Sequence, residues 1–474
     1  MSDRTPILVW LRRDLRLADH PALYAAAQSG RPLIPVFIHD ESVEALGAAP
    51  RFRLGLALAA LGDELAARGS RLILARGAAD EVLARLIAET GAGAVFWTRC
   101  HDPEAIRRDT GVKADLVARG IEAKSFPGQL LFAPWDVATG QGGPYRVFTP
   151  FWRAVRGRDV GEALPAPARL VAPDRWPVSA RLESWRMAAG MRRGAQIVAG
   201  HARPGEAAAQ ARLEAFLAER LADYAARRDF PAEDATSGMS EHLAWGEIGP
   251  RQLWQAGQRA REEGVAGAET FLREVAWREF AYHLIYHFPE LPRQNWRAEW
   301  DGFPWATDPD APEVVAWKRG LTGVPFVDAA MREMYVTGRM HNRARMIVAS
   351  YLTKHLMTHW RIGLDWFAEH LTDWDPAANA MGWQWVAGSG PDAAPYFRVF
   401  NPETQAAKFD PDGAYRDRWI AEGRARPSRT ALSYFEAVPR SWGLSRAVPY
   451  PEPVVGLAEG RARALAAYEA QKAG

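Results

Sequence analysis

Short apolar runs alternate with longer amphipathic stretches over residues 1–131. Apolar runs of this kind, bounded by glycine, proline or polar residues, are typical of buried parallel strands. The stretches 53–68 and 79–89 place alanine and leucine at helical spacing, which predicts helices between the strands. Because this alternation produces a parallel sheet covered on both faces, residues 1–131 are predicted to form a doubly wound α/β domain. The runs that predict strands are 7–10, 33–38, 71–75 and 94–98.

The alternation stops at residue 132, and proline and glycine are frequent as far as residue 204. This composition predicts a long linker, which we expect to pack against both neighbouring domains. Over residues 205–474 the strand signals fade and apolar positions recur with the period of a helix. The second domain is therefore predicted to be all-α, with helices over 206–226, 266–288, 325–336, 340–360 and 456–473.

The composition of the chain excludes several classes of protein. The chain has 474 residues and one cysteine, Cys100, which excludes internal disulfides and cysteine-ligated iron–sulfur clusters. The start of the chain has no signal-peptide pattern, and no apolar run is long enough to cross a bilayer, so we expect a cytoplasmic protein without a membrane partner. Neither a dinucleotide-binding glycine motif nor a P-loop follows the first predicted strand.

The net charge of +2 says little about partners, but residues 338–361 form a local basic strip without any acid. Such a strip can meet phosphates, and the alternative is a solvated helix face or ion pairs with acids elsewhere. His355 and His359 have the i, i+4 spacing of zinc ligands. They lack a third ligand and an intervening glutamate, so we expect no metal.

Several clusters of polar and aromatic residues are candidates for chemistry. Hydroxyls and a glycine at 236–240 lie at a predicted helix start, where they can hold a phosphate, unless Ser240 is a plain N-cap. Glu274, Trp277 and Arg278 share one helix face, which suits a planar ligand, although a surface ion pair between Glu274 and Arg278 is the competing interpretation. Two more clusters are Asn342, Arg345 and Met346 on one face of the basic helix, and the dense run of acids, amides and tryptophans at 373–385.

These segments together resemble the photolyase and cryptochrome family, most closely its bacterial cyclobutane pyrimidine dimer photolyases. The match keeps its order from one end of the chain to the other. It is carried by residues 10–16, 277–280, 322–331, 340–346, 382–385 and 392–402.

The resemblance implies an all-α domain that binds FAD in a bent form. Tyr224 and the segment Thr236, Ser237, Gly238, Met239 and Ser240 match the residues that hold the phosphates and ribitol. Phe271 and Arg278 line the cofactor in the family. Arg345 and Asp373 match an ion pair over the isoalloxazine, whose polar edge follows Asp373, Trp374 and Asp375, and Asn379 matches the residue that faces flavin N5. A neutral amide at this last position favours repair over a photoreceptor.

The resemblance also implies a site for a flipped-out lesion. Glu274, Asn342 and Met346 match residues that contact a pyrimidine dimer and, with Asn379, make up the expected catalytic set. Trp277 and Trp385 would wedge and stack against the dimer, and Arg398 would contact DNA phosphates. The (6-4) photolyases usually carry a histidine pair in the helix where this chain has His341, Asn342 and Met346. Because His341 is followed by asparagine, a cyclobutane dimer is the expected substrate.

Three tryptophans, Trp383, Trp360 and Trp305, match the family's electron-transfer chain, with Trp300, Trp317 or Trp366 as replacements for the outer one. A folate antenna such as methenyltetrahydrofolate is expected, a deazaflavin is the alternative, and the segment 99–104 departs from the family's pattern at one antenna site.

The expected protein is a monomer that works on pyrimidine dimers in DNA in the bacterial cytoplasm, at the nucleoid when it is bound to DNA. The alternatives are a cryptochrome photoreceptor and a (6-4) photolyase. Cryptochromes often carry a long carboxy-terminal tail, and the modest segment after residue 410 therefore favours the enzyme. A non-catalytic flavoprotein would not need the lesion-facing set.

Overall fold

A computed structural model describes residues 5–392 and 397–473 of the chain. Within these residues the amino-terminal part forms a five-stranded parallel sheet in the order β3-β2-β1-β4-β5. The predicted doubly wound sheet is confirmed. Its strands are β1 Ile7–Leu11, β2 Leu33–His39, β3 Ile73–Arg76, β4 Ala94–Thr98 and β5 Glu122–Phe126. The helices around it are α1 Pro21–Gln28, α2 Glu41–Glu44, α3 Ala48–Ala67, α4 Ala79–Thr90 and α5 Pro103–Ala118.

The central strand β1 is buried on both faces. Ile7, Val9 and Leu11 point into one apolar cluster, and Leu8 and Trp10 point into another on the opposite face. This double burial explains why the strands are continuous apolar runs rather than alternating ones. The apolar pattern missed β5, which contains Glu122 and Lys124 and is only half-buried, because it is an edge strand paired with β4 alone.

The segment between the two domains packs against both, as its sequence predicts. Its two helices are α6 Phe148–Val155 and α7 Gly194–Ala199. On the sheet side, the N–H of Leu33 donates to the carbonyl of Val171. On the helical side, Phe151 contacts the rings of Phe280 and His283. Residues of the predicted linker therefore contact both the sheet part and the helical part of the chain.

The carboxy-terminal part is all-α in the residues described, as predicted. Its helices are α8 Glu206–Glu219, α9 Tyr224–Arg227, α10 Ser240–Trp245, α11 Pro250–Glu262, α12 Ala268–His287, α13 Pro312–Lys318, α14 Pro325–Thr337, α15 Asn342–Ser350, α16 Trp360–His370, α17 Pro376–Ala387, α18 Pro402–Phe409, α19 Ala414–Trp419, α20 Arg429–Ala437 and α21 Leu457–Ala473. No helix among the described residues is both long and apolar enough to cross a membrane.

Two predicted helices are divided in the structure. The stretch 206–226 ends at Glu219 and resumes at α9. The stretch 340–360 is α15 followed by a π-helical turn, Tyr351–His355, and a break in which Met357 has a φ of +53°. A residue with positive φ cannot continue a right-handed helix. His359 then caps α16 by accepting a hydrogen bond from the N–H of Arg361. The prediction of one helix over 340–360 was wrong for this reason.

Candidate active site

Helix α12 supplies one wall of the site. The carboxylate of Glu274 accepts a hydrogen bond from Arg228, which lies at the end of α9. Trp277, one turn further on, is half-buried. The guanidinium of Arg278 donates to the carbonyl of Gln129 at 3.0 Å and to Glu279 at 3.1 Å. An ion pair between Glu274 and Arg278 is thus not formed, and that interpretation of the sequence was wrong.

Glu279 anchors the linker to α12 while it holds Arg278. Its second carboxylate oxygen accepts hydrogen bonds from the N–H groups of Leu131, at 2.7 Å, and Phe132. Burial raises the pKa of Glu279 to about 7, against the opposing effect of Arg278 and these N–H groups. The start of the linker is therefore tied to the helix that carries the candidate residues.

Helix α15 supplies a second wall. Asn342 is exposed and Arg345 and Met346 are partly exposed, so the three residues form one accessible face, as their spacing predicts. His341 caps the helix by accepting from the N–H of Arg343 at 3.1 Å. Burial lowers the pKa of His341 to about 4, and its ring is therefore neutral near pH 7.

The end of α9 joins these two walls. Arg228 pairs with Glu274 of α12, and its backbone lies next to the ring of His341. The neighbouring residue Asp229 accepts a hydrogen bond from Arg343 at 2.5 Å. Two consecutive residues thus hold the faces of α12 and α15 next to each other.

Residues 373–375 and helix α17 form the third wall. Arg345 donates to both carboxylate oxygens of Asp373, at 3.0 and 2.7 Å. Asp375 caps α17 by accepting from the N–H groups of Ala377 and Ala378, and its other oxygen accepts a 2.6 Å hydrogen bond from the hydroxyl of Tyr282. The structure therefore brings Arg345 and Asp373 together, as the resemblance implies.

A hydrogen-bonded chain leads from Asp375 into the sheet domain. The hydroxyl of Tyr282 accepts from the amide of Gln129 at 3.3 Å, and the amide oxygen of Gln129 lies 2.9 Å from Nδ1 of His101. Burial lowers the pKa of His101 to about 4. Nothing in the sequence pattern signalled Tyr282 or Gln129, because their partners are far away along the chain.

Asn379 lies on the first turns of α17. Its side-chain amide donates to the carbonyl of Leu364 at 3.0 Å. Ala378 beside it is exposed although α17 is in the middle of the domain. Helix α17 also packs against α12 and α15, and we call the accessible surface where these three helices meet the cleft.

The segment 236–240 contacts a basic side chain. Arg212 donates to the carbonyls of Thr236 and Ser237, at 2.7 and 2.8 Å. Gly238 has a φ of +68°, and a Cβ there would lie 2.8 Å from Nε of Arg212, so this turn requires glycine. Ser240 is the first residue of α10 and not its N-cap, a position that Met239 holds. Behind this segment, Tyr224, Phe216 and Phe271 form a buried aromatic group.

The three predicted electron-transfer tryptophans are buried. The ring neighbours of Trp383 among the described residues are Phe367, at 4.9 Å, and Trp317, at 6.2 Å. The ring of His359 contacts both Trp305, at 5.2 Å, and Trp360, at 5.4 Å. Trp305 also stacks on Trp300 at 5.4 Å. The aromatic side chains therefore form two groups, one around Trp383 and one that joins Trp360, Trp305 and Trp300.

Trp385 and Arg398 lie at the rim of the cleft. The indole N–H of Trp385 donates to the carbonyl of Asp392 at 3.0 Å. The guanidinium of Arg398 lies 5.9 Å from the ring centroid of Trp385. Residues 393–396, which belong to one of the segments that carry the family resemblance, lie outside the described residues.

The basic strip 338–361 does not form a single face. Arg343 and Arg345 pair with acids, as the second interpretation of the strip proposed. Lys354 is buried and donates to the carbonyl of Ala387, and burial lowers its pKa well below the usual range. In the part of the chain that the structure describes, no group of three or more His, Cys, Asp or Glu side chains has the arrangement of a metal site.

Comparison with known proteins agrees with this geometry. Residues 271–470 match a family described as the FAD binding domain of DNA photolyase, and residues 7–168 match a family described as DNA photolyase. The chain is 46% identical over 479 residues to a deoxyribodipyrimidine photo-lyase of Agrobacterium fabrum, a match that covers 100% of this chain and 99% of the relative. It is 34% identical to cryptochrome-2 of Arabidopsis thaliana, with 95% of this chain and 76% of that protein covered.

A solved structure shows the same architecture. The crystal structure of a bacterial class III photolyase from Agrobacterium tumefaciens is 44% identical in sequence and superimposes with a TM-score of 0.91, over 100% of this chain and 98% of that one.

Proposed function

The chain belongs to the DNA photolyase family, and from this premise we propose that it repairs cyclobutane pyrimidine dimers in DNA with light and bound FAD. It is an enzyme, a deoxyribodipyrimidine photo-lyase. The observation that carries the proposal is the cleft between α12, α15 and α17, where the accessible residues have the chemistry of a lesion site. They are Glu274, Trp277, Asn342, Met346 and Trp385.

The residues of the cleft fit FAD. We assign the phosphates and ribitol to Tyr224 and to Thr236, Ser237, Gly238, Met239 and Ser240, the lining to Phe271 and Arg278, and the isoalloxazine to Arg345, Asp373, Trp374, Asp375 and Asn379. The indole N–H of Trp383 is buried without a hydrogen-bond partner among the described residues, and Ala378 is exposed, as expected beside a site for a planar group. Bound FAD, when it is reduced and excited by light, supplies one electron to the dimer and recovers it after the ring has opened.

The polar groups around this site are held in fixed orientations. The guanidinium of Arg345 is held in place by Asp373, so this wall presents an oriented ion pair whose guanidinium can donate hydrogen bonds. The amide of Asn379 offers a hydrogen-bonding group without a second negative charge. The side-chain amide of Asn379 donates to the carbonyl of Leu364, and this hydrogen bond fixes the orientation of the amide.

The lesion would be held by polar and aromatic groups together. Glu274 can hydrogen-bond the pyrimidine edges, while Trp277 and Trp385 contribute flat apolar surfaces against which a flipped-out dimer can stack. Asn342 and Met346 occupy the accessible face of α15. We assign a contact with a DNA phosphate to Arg398, whose guanidinium lies beside Trp385.

A cyclobutane dimer suits these residues better than a (6-4) product. The accessible face of α15 carries a neutral amide and a thioether, Asn342 and Met346. His341, the residue before Asn342, caps the helix and has a pKa of about 4, so it is a poor proton donor at neutral pH. A reaction that needs a protonated histidine is therefore disfavoured.

Electrons for reducing the flavin would come through the tryptophans. We assign this supply to Trp383, Trp360 and Trp305, since indoles are oxidisable and the ring of His359 contacts both Trp360 and Trp305. Trp317, whose ring lies 6.2 Å from that of Trp383, is a candidate to replace the outer tryptophan.

We propose a folate as the antenna, bound between the two domains. Trp135 is 46% exposed and lies against Tyr286 and His101, with the guanidinium of Arg99 5.8 Å from its ring centroid. An exposed indole beside a cation suits a planar acidic chromophore. The carboxyl ends of the strands, where a deazaflavin is the alternative, are filled by ion pairs of Arg12 with Asp109 and of Arg108 with Asp40.

The working unit that we propose is a monomer in the cytoplasm that acts on DNA at the nucleoid. We place its antenna-type domain at 1–131, its linker at 132–204 and its FAD- and DNA-binding domain at 205–474. Size-exclusion chromatography with light scattering tests the monomer.

The test of the function uses purified protein that has been photoreduced and a DNA oligonucleotide with one thymine dimer. Blue light should restore two intact thymines, and the dark sample should restore none. If flavin is bound and photoreduced but no dimer is split, the proposed function is wrong. A chromophore released by denaturation and identified by mass spectrometry tests the folate separately.

A further inference from the structure

Phe148, at the end of the linker's irregular part, is stacked on a residue of the proposed lesion site. Its ring is parallel to the indole of Trp277, with 3.7 Å between ring centroids and 8° between planes. The side chain is only 1% exposed, and Phe280 and the guanidinium of Arg273 also contact it. A buried ring with several neighbours cannot turn freely, so it fixes the plane of the half-buried indole beside it.

The backbone of the same residue reaches the second tryptophan. The backbone N–H of Phe148 faces the carboxylate of Asp392 and opposes the rise in the pKa of Asp392 that burial causes. Asp392 has a φ of +54°, which is a left-handed backbone conformation. In residues other than glycine this conformation costs free energy, and neighbouring contacts must offset that cost. Its carbonyl accepts the indole N–H of Trp385 at 3.0 Å. One linker residue is thus connected to Trp277 through its ring and to Trp385 through Asp392.

We propose that Phe148 is a positioning residue for the lesion site, which sets the orientation of both tryptophans before DNA binds. The inference rests on the proposed function, in which Trp277 and Trp385 hold the flipped dimer. A preformed pair of aromatic walls avoids the cost of ordering two large side chains on binding. Among the described residues, the ring of Phe148 contacts Trp277, Phe280 and Arg273, none of which is assigned to the cofactor or to α15, so its effect should be on affinity for the lesion and not on the photochemical step.

The chain offers a matched control on the same helix. Phe151 is as deeply buried as Phe148, and its ring contacts Phe280 and His283. Phe148→Leu and Phe151→Leu therefore remove the same ring from the same apolar cluster, but only the first removes the stack on Trp277. Asp392→Ala removes the second connection without a change to the buried cluster.

The experiment measures the Kd of the FAD-loaded variants for a duplex with one thymine dimer and for the undamaged duplex, together with the repair yield at saturating protein. Phe148→Leu should weaken dimer binding about 10-fold, and Asp392→Ala by a smaller factor, with unchanged repair yield per bound dimer and unchanged Kd for undamaged DNA. Phe148→Trp, which keeps a stacking ring, should restore affinity. The near-ultraviolet circular dichroism of tryptophan should change in Phe148→Leu and not in Phe151→Leu.

Three results would overturn the inference. The first is an equal loss of dimer affinity in Phe148→Leu and Phe151→Leu. The second is a dimer Kd within a factor of two of wild type in both Phe148→Leu and Asp392→Ala. The third is a loss of repair yield without a loss of affinity. The wild-type protein separates these from a failure of the proposed function. If it binds dimer-containing and undamaged DNA equally, the function is wrong, and the role of Phe148 falls with it.

Discussion

Glu274 has a basic partner before any DNA is bound. Its ion pair with Arg228 keeps the carboxylate at the edge of the cleft, and Arg228 in turn contacts His341. A lesion that hydrogen-bonds Glu274 therefore meets a carboxylate whose orientation is already fixed. Hydrogen bonds to a charged group are stronger than neutral ones, so this side chain should contribute strongly to recognition.

Replacing Glu274 by alanine should weaken binding and repair of dimer-containing DNA by a factor of about 10 to 100, since a hydrogen bond to a charged group contributes ~1.5–3 kcal/mol. FAD content should not change. Glu269→Ala is the control, because Glu269 lies on the same helix and pairs only loosely with Arg261. Equal loss of repair in the two variants would contradict the assignment of Glu274.

Tyr282 holds the other end of the cleft. Tyr282→Phe should lower the free energy of unfolding by ~1–3 kcal/mol, because a buried carboxylate and a buried amide each lose a partner. Urea unfolding of the FAD-loaded protein measures this. Tyr286→Phe, one turn further on α12, should change stability little. A Tyr282→Phe variant as stable as wild type would show that the chain from His101 to Asp375 contributes nothing.

At single positions, the sequence predicted which residues of the cleft carry chemistry but not what holds them. The shared faces of α12 and α15 followed from helical spacing, and the pair of Arg345 with Asp373 followed from the family. Arg228, Tyr282 and Phe148 were missed because their contacts join segments distant along the chain, a feature that local patterns do not contain.

Helices α16 and α17 approach each other closely where Trp383 lies. A Cβ at Gly363 of α16 would overlap the indole ring of Trp383. Helix pairs this close require a residue without a side chain at the crossing point. The packing of these two helices therefore determines where the buried tryptophan sits.

Gly363→Ala should destabilise the protein by ~1–3 kcal/mol and slow photoreduction of the flavin, because an added methyl group displaces Trp383. Gly111→Ala is the control. Gly111 is exposed within α5 with no atom near the position of the new Cβ, so this change should stabilise the protein by ~0.5–1 kcal/mol. Thermal unfolding and the rate of photoreduction check both. Unchanged photoreduction in Gly363→Ala would refute the packing argument.

Helix and strand identity could be predicted wherever a long amphipathic or apolar pattern was present, as for α12 and β1. The prediction failed at the edge strand β5, whose exposed face admits charged residues, and over 340–360. There the break at Met357 results from a backbone conformation imposed by tertiary contacts, and helix-forming residues on both sides conceal it.

The molecule as a whole buries several neutral histidines. Burial lowers the pKa of His101, His283 and His355 to about 4 in the folded state. The unfolded chain keeps the ordinary value near 6.5, so it takes up protons first as pH falls. Stability is therefore complete above about pH 6.5 and is lost as pH falls toward 4.

Between pH 7 and pH 5 each of these histidines should lower the free energy of unfolding by ~2 kcal/mol. The urea midpoint should therefore fall steeply over this interval. His355 contacts the ring of Tyr351 and makes no hydrogen bond through its ring nitrogens among the described residues. His355→Phe preserves the ring contact. It should remove about a third of the pH-dependent loss of stability that the three histidines cause together. A midpoint independent of pH between 7 and 5 would contradict this account.

The whole molecule should select and repair a cyclobutane dimer in the cleft between α12, α15 and α17. To test this, the photoreduced protein is supplied with two oligonucleotides, one with a cyclobutane thymine dimer and one with a (6-4) product, and the products are separated by chromatography after blue light and after darkness. Intact thymines should form from the cyclobutane substrate, and only in the light. Repair of the (6-4) product, or no repair of either while the bound flavin photoreduces, would contradict it.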